Sequence, residues 1–211
     1  EQALAILSKR PEGFFLMVEG GQIDMAAHMN DTGRLLHEML KFNDTLNTVL
    51  DWAKTHPDTL VVVTADHETG GFGFSYSASN TPKPRHLAGN AFGEKIRFKP
   101  DYNFGNPEAL DKLYAQKLSY EAIFKQFDAI PVAQQTPESL LELVNRYTEF
   151  KITKAQAATI LATEDNPFYS PESRVLNQKQ VPKMPVNSAF FPYQSNNRQN
   201  LLAQAVSAQQ Q

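Results

Sequence analysis

The chain predicts an α/β fold in which parallel strands are joined by a helix, followed by a long and largely helical stretch. Two observations carry this. Short apolar runs at residues 14–18 (Phe-Phe-Leu-Met-Val) and 60–64 (Leu-Val-Val-Val-Thr) flank a long segment of helical periodicity. Strand, helix, strand in that order is a βαβ unit, with parallel strands and a right-handed crossover. Each run is also followed at once by metal-ligand side chains: Glu19, Asp24 and His28 after the first, Asp66 and His67 after the second. Open α/β sheets place their sites at the carboxyl ends of neighbouring strands, so two such clusters on one sheet edge point to one shared site.

Residues 2–9 read as a short helix with Leu4, Ile6 and Leu7 apolar, closed by Pro11 and Gly13. The run at 14–18 is continuous and bounded by turn residues, as in a strand buried on both faces. Asp31 is placed to cap the next helix, along which Leu35, Leu36, Met39, Leu40, Leu46, Val49 and Trp52 recur at helical spacing to about Lys54, with Pro57 beyond. The second strand is 60–64. Residues 74–76 suit an edge strand, 77–84 a loop, and 95–99 a weakly alternating strand. Amphipathic helices are expected over 108–128, 137–150 and 153–163, the last capped by Thr153. Residues 166–196 are irregular and proline-rich, and a final helix starts at 197.

The organisation expected is an α/β core segment at 1–80 carrying the ligand motifs, a helical and irregular insertion at 81–191, and a helix at 192–211 returning toward the core. The chain starts at Glu1 and stops inside a helical pattern, so we expect an internal piece of a longer protein.

Composition removes several function classes. The chain has 211 residues and no cysteine, so disulfides and thiolate metal sites are excluded and any ion is held by oxygen and imidazole. A net charge of −3 leaves no electrostatic footprint for nucleic acid or an anionic membrane. No apolar run approaches the ~20 residues of a membrane-spanning helix. Neither a G-x-S-x-G elbow nor a phosphate-cradling P-loop is present.

Asp24 and His28 are four residues apart, which on a helix puts them on one face with Cβ atoms about 5–6 Å apart, close enough to share a divalent cation. Glu19 could serve the same ion or a second one. The bland alternatives are a helix N-terminus with favourable acidic residues for the first motif and an Asx turn for Asp66-His67. His37 and His56 read as surface or half-buried residues, and His86 lies in the insertion. Arg34 could reach an anionic ligand or pair with an acid. Glu68 reads as a neighbour of the site or a solvent-facing group. Two divalent ions about 3.5–4 Å apart would point to hydrolysis, with phosphate esters as the leading substrate class.

The stretches Glu19-Gly-Gly-Gln-Ile-Asp24-x-x-x-His28 and Thr64-Ala-Asp66-His67-Glu-Thr-Gly-Gly71 resemble the two later metal-binding motifs of the alkaline phosphatases in residue type, spacing and order. The likeness runs from about Gly13 to Gly73. It implies a three-layer sandwich around a mostly parallel sheet with a crown-like insertion. It also implies two zinc ions and one magnesium ion. Asp24 and His28 would ligate the first zinc, which activates water; Asp66 and His67 would ligate the second, which stabilises a serine alkoxide; Glu19 would ligate the magnesium. The chemistry implied is phosphomonoester hydrolysis through a phosphoserine intermediate, releasing inorganic phosphate, in a periplasmic or secreted homodimer. The family's nucleophile segment, phosphate-binding arginine and last zinc-ligand histidine have no counterpart here, so the expectation is a chain inactive by itself. The alternatives are a related metal-dependent phosphodiesterase, sulfatase or phosphomutase, or a non-catalytic metal-binding domain.

Overall fold

Short-range capping and helical periodicity shape the first described elements. The computed structural model describes residues 1–70, 81–86, 97–103, 105, 108–174, 176–183, 198–207 and 209. Helix α1 spans Gln2–Leu7 and buries Leu4. Helix α2 spans Gly21–His28 and α3 spans Thr32–Ala53. They pack on each other through Ala26, Ala27 and Leu35, with Ile23 alongside, the two alanines letting the backbones come close. The turn between them places Asn30 at φ 50°, a left-handed conformation that asparagine tolerates well. It ends on Asp31, whose side chain accepts from the Arg34 backbone N–H at 3.1 Å and caps α3 as the sequence predicts.

A second group of helices follows: α4 at Glu108–Tyr114, α5 at Tyr120–Asp128, α6 at Pro137–Tyr147 and α7 at Lys154–Leu161. Each of α5, α6 and α7 starts on a hydroxyl cap (Ser119, Thr136 and Thr153), the last two closed reciprocally by Ser139 and Gln156 as capping boxes. Strands β1, Thr163–Asp165, and β2, Gln180–Pro182, pair antiparallel with Glu164 opposite Val181. Helix α8, Arg198–Ser207, packs on α5 and α7. The resulting core is built on Tyr120, Ile123, Phe127, Leu140, Ile160 and Leu202. Arg198 fastens α8 by donating to both Asp128 carboxylate oxygens at 2.9 and 2.8 Å, its guanidinium 4.9 Å from the Phe124 ring centroid.

One buried carboxylate joins the two groups. Asp31 is 2 % exposed. Besides Arg34, its Oδ1 accepts from Gln116 Nε2 and its Oδ2 from the Tyr120 backbone N–H, both at 2.6 Å. Gly33 supports this approach, because a Cβ there would overlap the Gln116 side chain. Burial pushes the Asp31 carboxyl above its ordinary range, against the three donors that favour the ionised form.

Four expectations change. Residues 14–18 and 60–64 are non-helical segments that join no strand ladder among the described residues, where the one ladder is β1–β2. Phe15 is 90 % exposed, Leu60 85 % and Val62 73 %. A doubly buried parallel strand draws its hydrogen bonds from partners on either side, and no described segment supplies them. Phe14 sets its ring edge-on to Trp52, with centroids 6.0 Å apart. The helix predicted over 108–128 is two helices, because residues 115–119 leave the helical path: Gln116 turns in to Asp31 and Lys117 N–H donates to the Tyr147 carbonyl at 2.9 Å. The helix predicted to 150 stops at Tyr147, where Thr148 is extended and its hydroxyl donates to the Phe150 carbonyl at 2.8 Å. The 166–196 stretch contains β2. The edge strand predicted at 74–76 and most of the 77–84 loop lie outside the described residues, and from 95–99 only 97–99 are described, with Phe98 bridging Arg85.

Candidate metal centre

Helix α2 delivers the first pair. Gly20 caps it and Gly21 opens it, so four residues later the chain has turned once between Asp24 and His28. Asp24 Oδ2 lies 3.5 Å from His28 Nε2, both side chains open to solvent. The second pair sits on the coil after residues 60–64, where Asp66 Oδ2 is 3.4 Å from His67 Nε2. Asp66 Oδ1 accepts from the His67 backbone N–H at 2.9 Å, and this bond, before the imidazole's charge, holds its carboxyl below the usual range.

His67 has a defined orientation. Its Nδ1 lies 3.0 Å from the Glu68 carbonyl oxygen. A carbonyl only accepts, so Nδ1 carries a proton at this contact, while Nε2 faces the Asp66 carboxylate. The Glu68 carbonyl first, and the Asp66 charge second, raise the His67 pKa above its ordinary value.

What brings the two pairs together is the segment after His67. Thr69 Oγ1 donates to Asp24 Oδ1 at 2.7 Å and lies 3.3 Å from His67 Nδ1. Gly70 follows at φ 71°, and a Cβ there would overlap the Ala27 carbonyl oxygen at the end of α2. Only glycine meets both demands, the left-handed backbone and the close approach. The second ligand segment thereby lies against the helix that carries the first.

The donor chemistry suits a borderline divalent ion: each pair offers one carboxylate oxygen and one imidazole nitrogen, and among the described residues neither Asp24 nor Asp66 is paired with lysine or arginine. Each pair supplies two of the three protein donors a catalytic zinc takes. Glu19 folds its carboxylate over Gly21 at the start of α2. Among the described residues no three His, Asp or Glu side chains converge on one point.

The remaining candidates are engaged elsewhere. Arg34 donates to Gln22 Oε1 at 2.7 Å and pairs with Glu121 at 3.4 Å, tying α2, α3 and α5 together. His37 meets the Tyr114 carbonyl at 2.9 Å and stacks on that ring, and His56 stacks on Trp52 at 3.6 Å. His86 is exposed. Thr69 and Gly70 escaped the sequence reading. A hydroxyl two residues beyond a ligand histidine, followed by paired glycines, was the available hint, and only the spatial return onto Asp24 gives it meaning.

Comparison with known proteins places the sequence in a family. The alkaline phosphatase family model matches residues 1–165. Alkaline phosphatase 3 of Bacillus subtilis is 50% identical over 70 residues, 33% of this chain and 15% of that relative. The tissue-nonspecific alkaline phosphatase isozyme of Rattus norvegicus is 38% identical over 111 residues, covering 46% and 21%. Streptomycin-6-phosphate phosphatase of Streptomyces griseus is 53% identical over 55 residues, covering 26% and 12%. The chain therefore spans 12% to 21% of the length of these three curated relatives.

Proposed function

The chain belongs to the alkaline phosphatase family, and we propose that it carries the zinc- and magnesium-ligand portion of a phosphoric monoester hydrolase. The observation that carries this reading is the pair of Asp–His couples, each closed to 3.4–3.5 Å and linked through Thr69, on a chain whose relatives are named phosphatases.

In this reading Asp24 and His28 hold one zinc, Asp66 and His67 the second, and Glu19 the magnesium. Bound metal would supply Lewis-acid stabilisation of the phosphoryl oxygens and a nucleophile active at neutral to alkaline pH. The chain's own residues orient the donors. The Glu68 carbonyl keeps the His67 proton on Nδ1, so Nε2 is the coordinating atom. The raised His67 pKa sets the sign of the pH dependence: protonation of the ring competes with metal, so affinity falls as pH drops through that value. In this reading the nucleophilic serine, the phosphate-binding arginine and a third ligand for the first zinc are supplied by other segments of the enzyme, and strands other than the described residues complete a mostly parallel sheet around residues 14–18 and 60–64.

The test is a zinc titration of the chain against a chromogenic chelator, run alongside p-nitrophenyl phosphate hydrolysis. We expect zinc binding that Asp24→Asn or His67→Gln weakens, with ester hydrolysis no faster than buffer. Zinc-dependent turnover by this chain would overturn the assignment of the nucleophile to another segment, and zinc binding indifferent to both substitutions would overturn the ligand assignment.

A further inference from the structure

We propose that Thr69 is a positioning residue that couples the two metal half-sites, an inference that rests on reading Asp24, His28, Asp66 and His67 as zinc ligands. The geometry defines a directed chain of hydrogen bonds. Thr69 has one hydroxyl proton, and the ionised Asp24 carboxylate can only accept, so at 2.7 Å that proton is committed to Asp24 Oδ1. The Thr69 oxygen is then an acceptor. It faces His67 Nδ1 at 3.3 Å, whose one proton is then shared between the Glu68 carbonyl at 3.0 Å and the Thr69 oxygen.

The consequence lies in which atoms are left over. Thr69 takes Oδ1 of Asp24 and leaves Oδ2 on the His28 side. Together with the Glu68 carbonyl it takes the Nδ1 edge of His67 and leaves Nε2 on the Asp66 side. One hydroxyl, 45 residues from Asp24 in the chain, thus turns a donor of each half-site outward at once. Partners of this kind fix the orientation of a ligand and raise its basicity, and losing one commonly weakens metal binding 10- to 100-fold. Here a single side chain does so for both ions. Its removal weakens both half-sites together, whereas a ligand substitution weakens its own more.

The test uses the full chain with Thr69→Val, which keeps the shape and removes the hydroxyl, and Thr69→Ser, which restores it. Thr69 is half-buried on a coil segment, so helix content by circular dichroism is expected unchanged in both. Chelator competition should show zinc affinity falling about tenfold or more at both half-sites in Thr69→Val and returning to within about threefold of wild type in Thr69→Ser. A second, metal-free readout is the histidine ring 15N–1H spectrum at mildly alkaline pH. His67 should be the Nδ1-protonated tautomer in wild type and should gain the Nε2-protonated form in Thr69→Val. Zinc binding by wild type that Thr69→Val leaves unchanged sinks the coupling while sparing the ligand assignment. Absence of zinc binding by wild type sinks both. An Nε2-protonated His67 in the zinc-free wild type refutes the hydrogen-bond chain whatever the metal result.

Discussion

Replacing Asp31 tests how the ligand helix is held. Asp31→Ala removes three interactions of one carboxylate: the cap on α3 through Arg34 N–H, the bond from Gln116 Nε2, and the bond from the Tyr120 N–H. A lost N-cap costs about 1 kcal/mol. Tyr120 and Gln116 are both buried, and a buried donor left without an acceptor costs about 1–3 kcal/mol. Because the three bonds share one group they do not add in full, and we expect a loss of about 3–5 kcal/mol. Asp31→Asn keeps one acceptor oxygen and turns an amide toward a donor, for a loss of about 1–3 kcal/mol at pH 7. The two variants also differ in pH behaviour. Burial raises the folded-state pKa of Asp31 above its ordinary 3.8, so the folded chain binds that proton more tightly than the unfolded one. The stability contributed by this titration is therefore fully present below pH 3.8 and declines as pH rises through the folded value. The margin of wild type over Asp31→Asn should thus narrow as pH increases across that window. Urea unfolding followed by far-ultraviolet circular dichroism at several pH values measures both effects. An Asp31→Ala variant within about 0.5 kcal/mol of wild type would refute the clamp, and a margin that widens with pH would refute the sign.

Other perturbations separate the remaining contacts. Gly70→Ala should lift the second ligand segment off α2, since both the φ of 71° and the Ala27 carbonyl oppose a side chain; zinc affinity should fall with helix content intact, and unaltered affinity would show that the segment docks without this contact. The exposed apolar residues Phe15, Met17, Leu60 and Val62 lie on backbone that joins no ladder among the described residues, the kind that recruits another chain. Self-association is expected by light scattering, diminished by Phe15→Lys with Val62→Lys, and a clean monomer at high concentration would contradict it. Arg198→Ala should lower the unfolding free energy by about 1 kcal/mol, because a partly exposed ion pair and its ring contacts are lost; an unmoved urea midpoint would mean that apolar packing alone seats α8.

The features legible in the sequence are the ones decided within a few residues. The i, i+4 spacing alone puts Asp24 and His28 on one helical face, and Asp31 and Thr153 announce helix starts because their oxygens bond N–H groups three residues on. The likeness of both ligand stretches to one family was likewise readable from residue type and order. Contacts that span the chain were not. Residues 108–128 carry a continuous helical period, yet the helix breaks because Gln116 is drawn to Asp31, 85 residues away. The apolar runs at 14–18 and 60–64 have the composition of buried strands, but a strand exists only through its partners, and composition says nothing of where those are. Two Asp–His pairs are visible in the sequence as separate clusters; that Thr69 and Gly70 return the second onto the helix of the first is decided only when the chain has folded.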